Sequence, residues 1–392
     1  MKLFVASGIF HPESGGPATY LREILPEFLA RGWDLRVLTY GSGSTDDYGY
    51  PLTRIPRQAL PLRMLGYATA SRPLLAWADV VYLHSLDLPL WGERRAPRIA
   101  KVVGDIAWER AIRKAWIPQT TDIDDFQTRS YDNLFAELGK AQRSRRAQAM
   151  DAIIVPSAYL KRMVVGWGVN ERKVHVVYNA LPKHDESRGK VDGKNAVRTH
   201  TDSTQGDARA ALGLAPDEPL VLTAARLTPW KGVQHLISAL QRVPDVRLLV
   251  AGDGDMLPAL RAQAEEQGLA QRVVFLGNVS REQMPLYMRA ADYLALYSGY
   301  EGLSHTLLEA LREGTPVIAS DKGGNPEVVQ HGLNGLLVPY VDVYALSQVI
   351  AEAFAPGKRA ALAANAHVGM ERFTFARMVE ETAGILEQQS SK

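Results

Sequence analysis

Two glutamates with seven residues between them, Glu301 and Glu309, lie in Tyr300-Glu301-Gly302-Leu303-Ser304-His305-Thr306-Leu307-Leu308-Glu309-Ala310. The apolar run Tyr293-Leu294-Ala295-Leu296-Tyr297 ahead of them reads as a buried strand, and Leu307, Leu308 and Leu311 behind them form a helical stripe. The spacing predicts a helix starting near Leu303 or Ser304, with Glu301 in the turn and Glu309 inside the helix. The free N–H groups and positive dipole end of such a start suit a phosphate. Carboxylates on either side of it can accept hydrogen bonds from hydroxyls. A loop glutamate and a helix glutamate in surface salt bridges would leave the same trace, so other residues must decide.

A second constellation is Val221-Leu222-Thr223-Ala224-Ala225-Arg226-Leu227-Thr228-Pro229-Trp230-Lys231-Gly232, followed by the helical stripe Val233, Leu236, Ile237 and Leu240. A strand here runs into a loop with two cations, at the carboxyl end where open α/β sheets bind ligands. An Arg fork with a Lys point charge is a clamp for a diphosphate, although two solvated loop charges would look alike. At the N-terminus, the strand Leu3-Phe4-Val5-Ala6-Ser7 leads to Pro12-Glu13-Ser14-Gly15-Gly16-Pro17 and an amphipathic helix through Tyr20, Leu21, Ile24, Leu25 and Phe28. Gly15 and Gly16 let backbone approach a ligand closely, or simply make a tight turn.

With Gly314-Thr315-Pro316-Val317-Ile318-Ala319-Ser320 and Gly323-Gly324-Asn325-Pro326-Glu327 added, the chain resembles the retaining, GT-B-fold glycosyltransferases of the group 1, family 4-like class. The likeness covers nearly the whole chain and is more specific in the second half. It implies an α/β fold of two Rossmann-like parallel-sheet domains facing a central cleft. It also implies transfer of a sugar from a nucleotide-sugar to a hydroxyl acceptor, with retention at the anomeric carbon and no required metal or other cofactor. By the same resemblance Arg226, Lys231, Glu301 and Asp105 are the expected catalytic residues. Donor contacts are expected from Gly15, Gly16, Arg226, Lys231, Asn278, Val279, Glu301, Gly302, Leu303, Ser304 and Glu309. Glu301 would hold sugar hydroxyls and Glu309 the ribose diol. The loop Gly277-Asn278-Val279-Ser280 would meet the base. Some guanine users place acidic and lysine residues just beyond that loop, and this chain has Ser280-Arg281-Glu282-Gln283, so a UDP-hexose is favoured over GDP-mannose.

The 392 residues exceed one ordinary core, which predicts two domains. A net charge of +2 supplies no global field for nucleic acid, and the absence of cysteine removes disulfides, zinc-thiolate sites and thiol catalysis. The start reads as a strand and no apolar run reaches the roughly 20 residues of a membrane span, so a cytoplasmic protein is expected. The basic run Lys140-Ala141-Gln142-Arg143-Ser144-Arg145-Arg146 and the apolar-basic stretch Leu60-Pro61-Leu62-Arg63-Met64-Leu65-Gly66-Tyr67 leave peripheral contact with the inner face of the membrane open. A solvated helix face is the plainer reading of the first, and a wall of the acceptor groove one reading of the second.

Strands and helices alternate along both halves. Expected strands are 35–40, 80–84, 99–103, 152–155 and 174–178 in the first half, then 221–225, 248–251, 273–276, 293–297 and 317–319. Residues 183–206 are polar and Gly-, Ser- and Thr-rich, which predicts a linker or insertion. Residues 1–182 are then an acceptor-binding domain and 207–372 a nucleotide-sugar-binding domain, with a helix over about 373–390 crossing back to the first. In the first domain Asp105 follows a strand at Gly104-Asp105, where many relatives carry a histidine before the aspartate. It could equally cap the next helix. His84 at another strand end, Glu13 and the neighbourhood of Trp108 are the remaining candidates.

Asp253-Gly254-Asp255 superficially matches the Asp-X-Asp metal ligands of the other large glycosyltransferase fold. It follows a buried strand, which predicts a Gly-rich turn with an aspartate N-cap instead. Two other classes share the fold-level features: a sugar-nucleotide epimerase, which needs no acceptor, and a noncatalytic nucleotide-sugar-binding protein.

Overall fold

The central strands form at short runs of Val, Ile, Leu and Ala that lack a polar face, as required when helices cover both sides of a parallel sheet. The computed structural model describes residues 1–13, 15–42, 47–181 and 204–391. They divide into two compact units, Met1–Pro118 with Asp124–Tyr178 and Phe375–Lys392, and Gln119–Ile123 with Asn179–Thr374.

The first unit holds a seven-stranded sheet made of β1 (Lys2–Ala6), β2 (Asp34–Tyr40), β3 (Leu52–Ile55), β4 (Val80–Leu83), β5 (Arg98–Lys101), β6 (Ala152–Val155) and β7 (Val174–Val176), in the order β3-β2-β1-β4-β5-β6-β7. Its helices are α1 (Gly16–Ala30), α2 (Leu60–Trp77), α3 (Ile106–Arg113), α4 (Ile123–Thr128), α5 (Leu134–Gln148) and α6 (Ala158–Gly166). The second unit begins with α7 (Gln205–Ala211) and carries β8 (Leu220–Ala224), α8 (Val233–Leu240), β9 (Arg247–Ala251), α9 (Leu257–Glu266), β10 (Val273–Gly277), α10 (Met284–Ala290) and β11 (Tyr293–Leu296). It continues through α11 (His305–Arg312), β12 (Val317–Ser320), α12 (Asn325–Val328), β13 (Gly335–Val338), α13 (Val343–Ala353) and α14 (Lys358–Ala364). The last helix, α15 (Phe375–Ser390), belongs to the first unit, where Thr382 meets the Tyr20 hydroxyl of α1 at 3.4 Å and Glu380 pairs with Arg31. The second sheet runs β10-β9-β8-β11-β12-β13, and the described pairings in both sheets are parallel.

In each sheet the strand order reverses beside the first strand, at β1/β4 and at β8/β11. Chains leaving two such neighbouring strands diverge to opposite sides and open a crevice at the carboxyl ends. The register aligns Leu3 with Val80 at one reversal and Tyr293 with Val221 at the other. Packed beneath the second is a core that includes Leu236, Ile237, Tyr293, Tyr297, Ile318 and Leu346.

Several elements depart from the sequence expectation. The edge strands β3 and β13 were not among the expected strands; their sequences, Leu-Thr-Arg-Ile and Gly-Leu-Leu-Val, are short and interrupted by polar residues or glycine. Residues 183–203 of the linker region lie outside the described residues, as do Ser14 and Pro182. Residues 204–206 are the start of α7, closed by a reciprocal Thr204–Asp207 capping box. No aspartate caps α9: its N-cap is Met256, and Asp253 instead accepts the Gly254 amide at 2.7 Å.

Helix α7 is anchored by Arg209, 3% exposed, which donates to Asp292 at 2.9 Å and to the Ala290 carbonyl at 2.9 Å. Asp292 also accepts the Leu220 amide at 2.8 Å, so one carboxylate ties α7 to the start of β8. Removing one partner of a buried pair leaves the other charge uncompensated. Arg209→Ala is expected to destabilise the second unit by about 3 kcal/mol, checked as a lowered midpoint in denaturant unfolding followed by a probe within that unit.

Candidate active site

At the reversal of the second sheet, the chain leaving β8 carries Arg226 and Lys231, and the chain leaving β11 carries Glu301. Lys231 Nζ donates to Glu301 Oε1 at 2.6 Å, with the two side chains 20% and 13% exposed. Backbone packing fixes this meeting. Gly232 adopts φ 69°, and a Cβ there would run into the Tyr297 carbonyl oxygen. The Gly299 amide donates to the Trp230 carbonyl at 2.8 Å, joining the two loops. Gly323, at φ 64°, and Gly324 lie against the backbone of Glu301 and Gly302, with the Gly324 amide donating to the Glu301 carbonyl at 2.8 Å. The Gly323-Gly324 pair therefore props the Glu301 loop from beneath.

Beside this loop a cavity of about 320 Å³ opens at the carboxyl ends of three adjacent strands. Ala224, Ala225 and Arg226 line it from β8, Ala251, Gly252 and Asp253 from β9, and Asn278 and Val279 from the chain beyond β10. Met284 and Met288 of α10 and Thr306 and Glu309 of α11 complete the wall. Gly252 is needed because a side chain there would strike the Ala225 carbonyl. Likewise Gly254 packs on the Leu227 backbone, whose amide donates to the Asp253 carbonyl at 2.9 Å. The Asp253-Gly254-Asp255 turn thus buttresses the Arg226 loop.

Helix α11 begins as the sequence predicts. Ser304 is its N-cap and accepts the Leu307 amide at 3.3 Å, and Gly302 and Leu303 precede it. Glu309 faces the cavity, where burial pushes its carboxyl up from the usual range while Arg312 and Arg281 oppose the shift. A polar cavity wall with a desolvated carboxylate, next to a cation and a helix N-terminus, matches a ligand carrying both hydroxyls and negative charge.

The structure brings Arg226, Asn278, Val279 and Glu309 to one cavity and joins Lys231 to Glu301. Gly15, Gly16 and Asp105 lie in the first unit. Gly15 is the N-cap of α1, whose start has no side-chain cap. Asp105 differs from an exposed reactive group. It is 0% exposed, its Oδ1 accepts from Ala107 N at 2.9 Å and Trp108 N at 3.3 Å, and its Oδ2 accepts from Gln127 Nε2 at 2.9 Å and from Arg143. Its geometry is that of a helix cap and buried ion pair. Arg143 is therefore no part of a solvated basic face, and Arg146 pairs with Asp87. Trp108 is core, and Glu13 pairs with Arg57.

Met284, Met288, Thr306 and Gly252 were missed in the sequence; the i, i+3 relation of Thr306 to Glu309 on one helix face was the available signal. Lys101, the last residue of β5, was also passed over. It is 3% exposed, and burial pushes its ammonium down to about 7.

Residues 204–367 match the family described as glycosyl transferases group 1, and residues 14–183 match glycosyltransferase family 4. The D-inositol 3-phosphate glycosyltransferase of Mycobacterium sp. (strain JLS) is 39% identical over 188 residues, 46% of this chain and 42% of that protein. A GDP-mannose-dependent alpha-(1-6)-phosphatidylinositol monomannoside mannosyltransferase of Mycolicibacterium smegmatis is 37% identical over 170 residues, 40% of this chain and 44% of that protein. The chain thus spans less than half the length of these curated relatives. Among solved structures, Anabaena HepE in complex with UDP-glucose superposes with a TM-score of 0.74 at 21% identity, covering 99% of this chain and 100% of that one. The sucrose-phosphate synthase of Thermosynechococcus elongatus gives a TM-score of 0.76 at 20% identity, covering 99% and 98%.

The raised carboxyl of Glu309 makes a stability prediction. The folded protein holds this proton more tightly than the unfolded chain, so the group's contribution falls as pH rises from its ordinary value of 4.5 through its folded value. Glu309→Gln is expected to raise the melting temperature at pH 8 and to flatten that fall, read by thermal unfolding from pH 5 to 8. With the motifs, both sheets and these likenesses in agreement, the chain belongs to the group 1 glycosyltransferases of the GT-B fold.

Proposed function

We propose that this chain is a retaining hexosyltransferase, moving a hexose from a nucleoside diphosphate sugar to a hydroxyl acceptor in glycan, glycolipid or polysaccharide synthesis. The observation that carries the reading is the cavity in which Arg226, Asn278, Val279 and Glu309 converge, beside the strand reversal where Lys231 meets Glu301. Arg226 and Lys231 neutralise the departing diphosphate, assisted by amides at Gly302, Leu303 and Ser304. Glu309 takes the ribose diol, Asn278 and Val279 the base edge, and Glu301 the sugar hydroxyls. The acceptor oxygen attacks from the leaving-group face and a phosphate oxygen receives its proton. Preorganised charge of this kind is the largest catalytic contribution in many enzymes.

Asp105 acts in this scheme by positioning α3 rather than by touching the substrate. The two cations already supply the charge a metal would bring, so no metal is required. A UDP-hexose is favoured as donor by the sequence Ser280-Arg281-Glu282-Gln283. The named relatives include both a GDP-mannose-dependent enzyme and a protein solved with UDP-glucose. Among the described residues no helix is long and apolar enough to cross a membrane. We place the protein in the cytoplasm, with peripheral membrane contact as the accompanying option.

A donor-by-acceptor screen with the product anomer assigned by NMR tests the reading, and an inverted anomer overturns retention. Donor epimerised without acceptor identifies an epimerase, and donor bound without turnover a noncatalytic binding protein. Arg226→Ala and Lys231→Ala are expected to lower turnover by about 100-fold or more while the fold survives. In calorimetry, Glu309→Gln weakens UDP binding, whereas Glu301→Gln lowers turnover more than UDP affinity. Activity is expected to persist in EDTA; its loss, restored by manganese, contradicts the metal-free scheme.

A further inference from the structure

The first sheet has its own reversal point, at β1/β4, and the side chains there are not those of an ordinary core. His84 follows β4, and its amide donates to the Ala6 carbonyl at the end of β1 at 2.8 Å. Its ring packs on Tyr82 at 4.5 Å and on Tyr20 at 5.2 Å, and its Nε2 is buried with no hydrogen-bond partner. One strand over, the Lys101 ammonium lies 4.1 Å from the Tyr20 ring centre, also buried and without an acceptor. The Tyr20 hydroxyl is already committed to Tyr82 at 3.1 Å and to Thr382 at 3.4 Å, so the ring is held beneath the ammonium but offers it no oxygen.

Sequestering an ammonium without an acceptor is strongly unfavourable, and the face of an aromatic ring offsets it only in part. Ile99 and Ala100, its neighbours on β5, are fully buried, so an apolar residue in place of Lys101 would serve the sheet better. The chain reaches the surface close by. Two residues beyond Lys101 the chain reaches the surface at Val103, 42% exposed, and a Cβ at Gly8, just past β1, would meet no atom within 4 Å.

We propose that Lys101 and His84 form an anion-binding site at the reversal of the first sheet, and that it takes a phosphate or carboxylate group carried by the acceptor. This rests on the transferase reading for the word acceptor; the anion site itself does not. Two buried nitrogens without partners, set where parallel sheets bind ligands, are answered by a negatively charged oxygen once His84 carries its proton on Nε2. The uncompensated cation is then a binding device kept at a cost in stability.

The test uses the full chain carrying Arg226→Ala and Lys231→Ala, so that the second unit's cations do not contribute. Sodium sulfate, standing for a phosphate group, and sodium acetate, for a carboxylate, are titrated while the His84 imidazole resonances are followed by NMR at constant ionic strength. Saturable shifts are expected with one of the two anions, weakened at least 10-fold by Lys101→Met, and the anion that binds more tightly identifies the group. Lys101→Met is also expected to raise the melting temperature in the absence of anion, the opposite of what loss of a structural lysine does. Should that variant fail to fold, His84→Asn, with binding read by calorimetry, is expected to weaken the same anion. Absence of saturable binding by either anion, or equal binding by the parent and the variants, overturns the site. Because no sugar transfer is measured, that failure is separate from failure of the transferase reading.

Discussion

The contact between Lys231 and Glu301 depends on one constraint, the reversal of strand order between β8 and β11. Parallel strands must be joined by crossovers, and only where successive crossovers depart in opposite directions do two loops face each other across open space. Lys231 and Glu301 are far apart in sequence, yet they end within hydrogen-bond distance because Val221 is aligned with Tyr293. The glycines follow from the same constraint. Two loops converging over one reversal point have backbone against backbone, and Gly232, Gly252, Gly323 and Gly324 sit where a side chain would strike a neighbouring carbonyl. They keep the loops at a spacing that leaves the cavity open.

The two units use this topology with different chemistry. At the second reversal the cation has a carboxylate partner that is partly exposed, so charges can be exchanged with a ligand at small cost. At the first, Lys101 and His84 are enclosed and unpaired. Desolvation holds the imidazole pKa well below its usual value, with the Lys101 charge adding to the effect. Asp105 shows the contrasting case of a buried charge in the same unit, one whose oxygens are all answered by donors. A carboxylate so satisfied holds α3, α5 and the Gln127 side chain in register, and its contribution to any chemistry runs through the elements it holds.

Much of the second unit was legible in the sequence because its chemistry sits at strand ends and a helix start, where local composition already marks the structure. The Ser304 cap, the Arg226-to-Gly232 loop after β8 and the turn at Glu301 follow from apolar runs meeting Gly, Ser and charged residues. The edge strand β3 escaped because an edge position tolerates polar residues such as Thr53 and Arg54, which blur the pattern, and β13 because it is only four residues long and opens on glycine. The aspartate cap expected at α9 was absent because the Asp253-Gly254 turn is drawn against the Leu227 backbone, a long-range contact.

The sequence by itself determined the alternation of strand and helix, the two parallel sheets and the family, since periodicity and motif spacing are local properties that survive without coordinates. Only the tertiary structure decided which charges are paired. Whether Asp105 faces solvent or Arg143, whether the basic run of α5 is a surface or a set of ion pairs, and whether Lys101 has an acceptor are all set by residues distant in sequence. Burial and partnership arise when crossovers bring such segments together, and neither has a signature in the local order of residues.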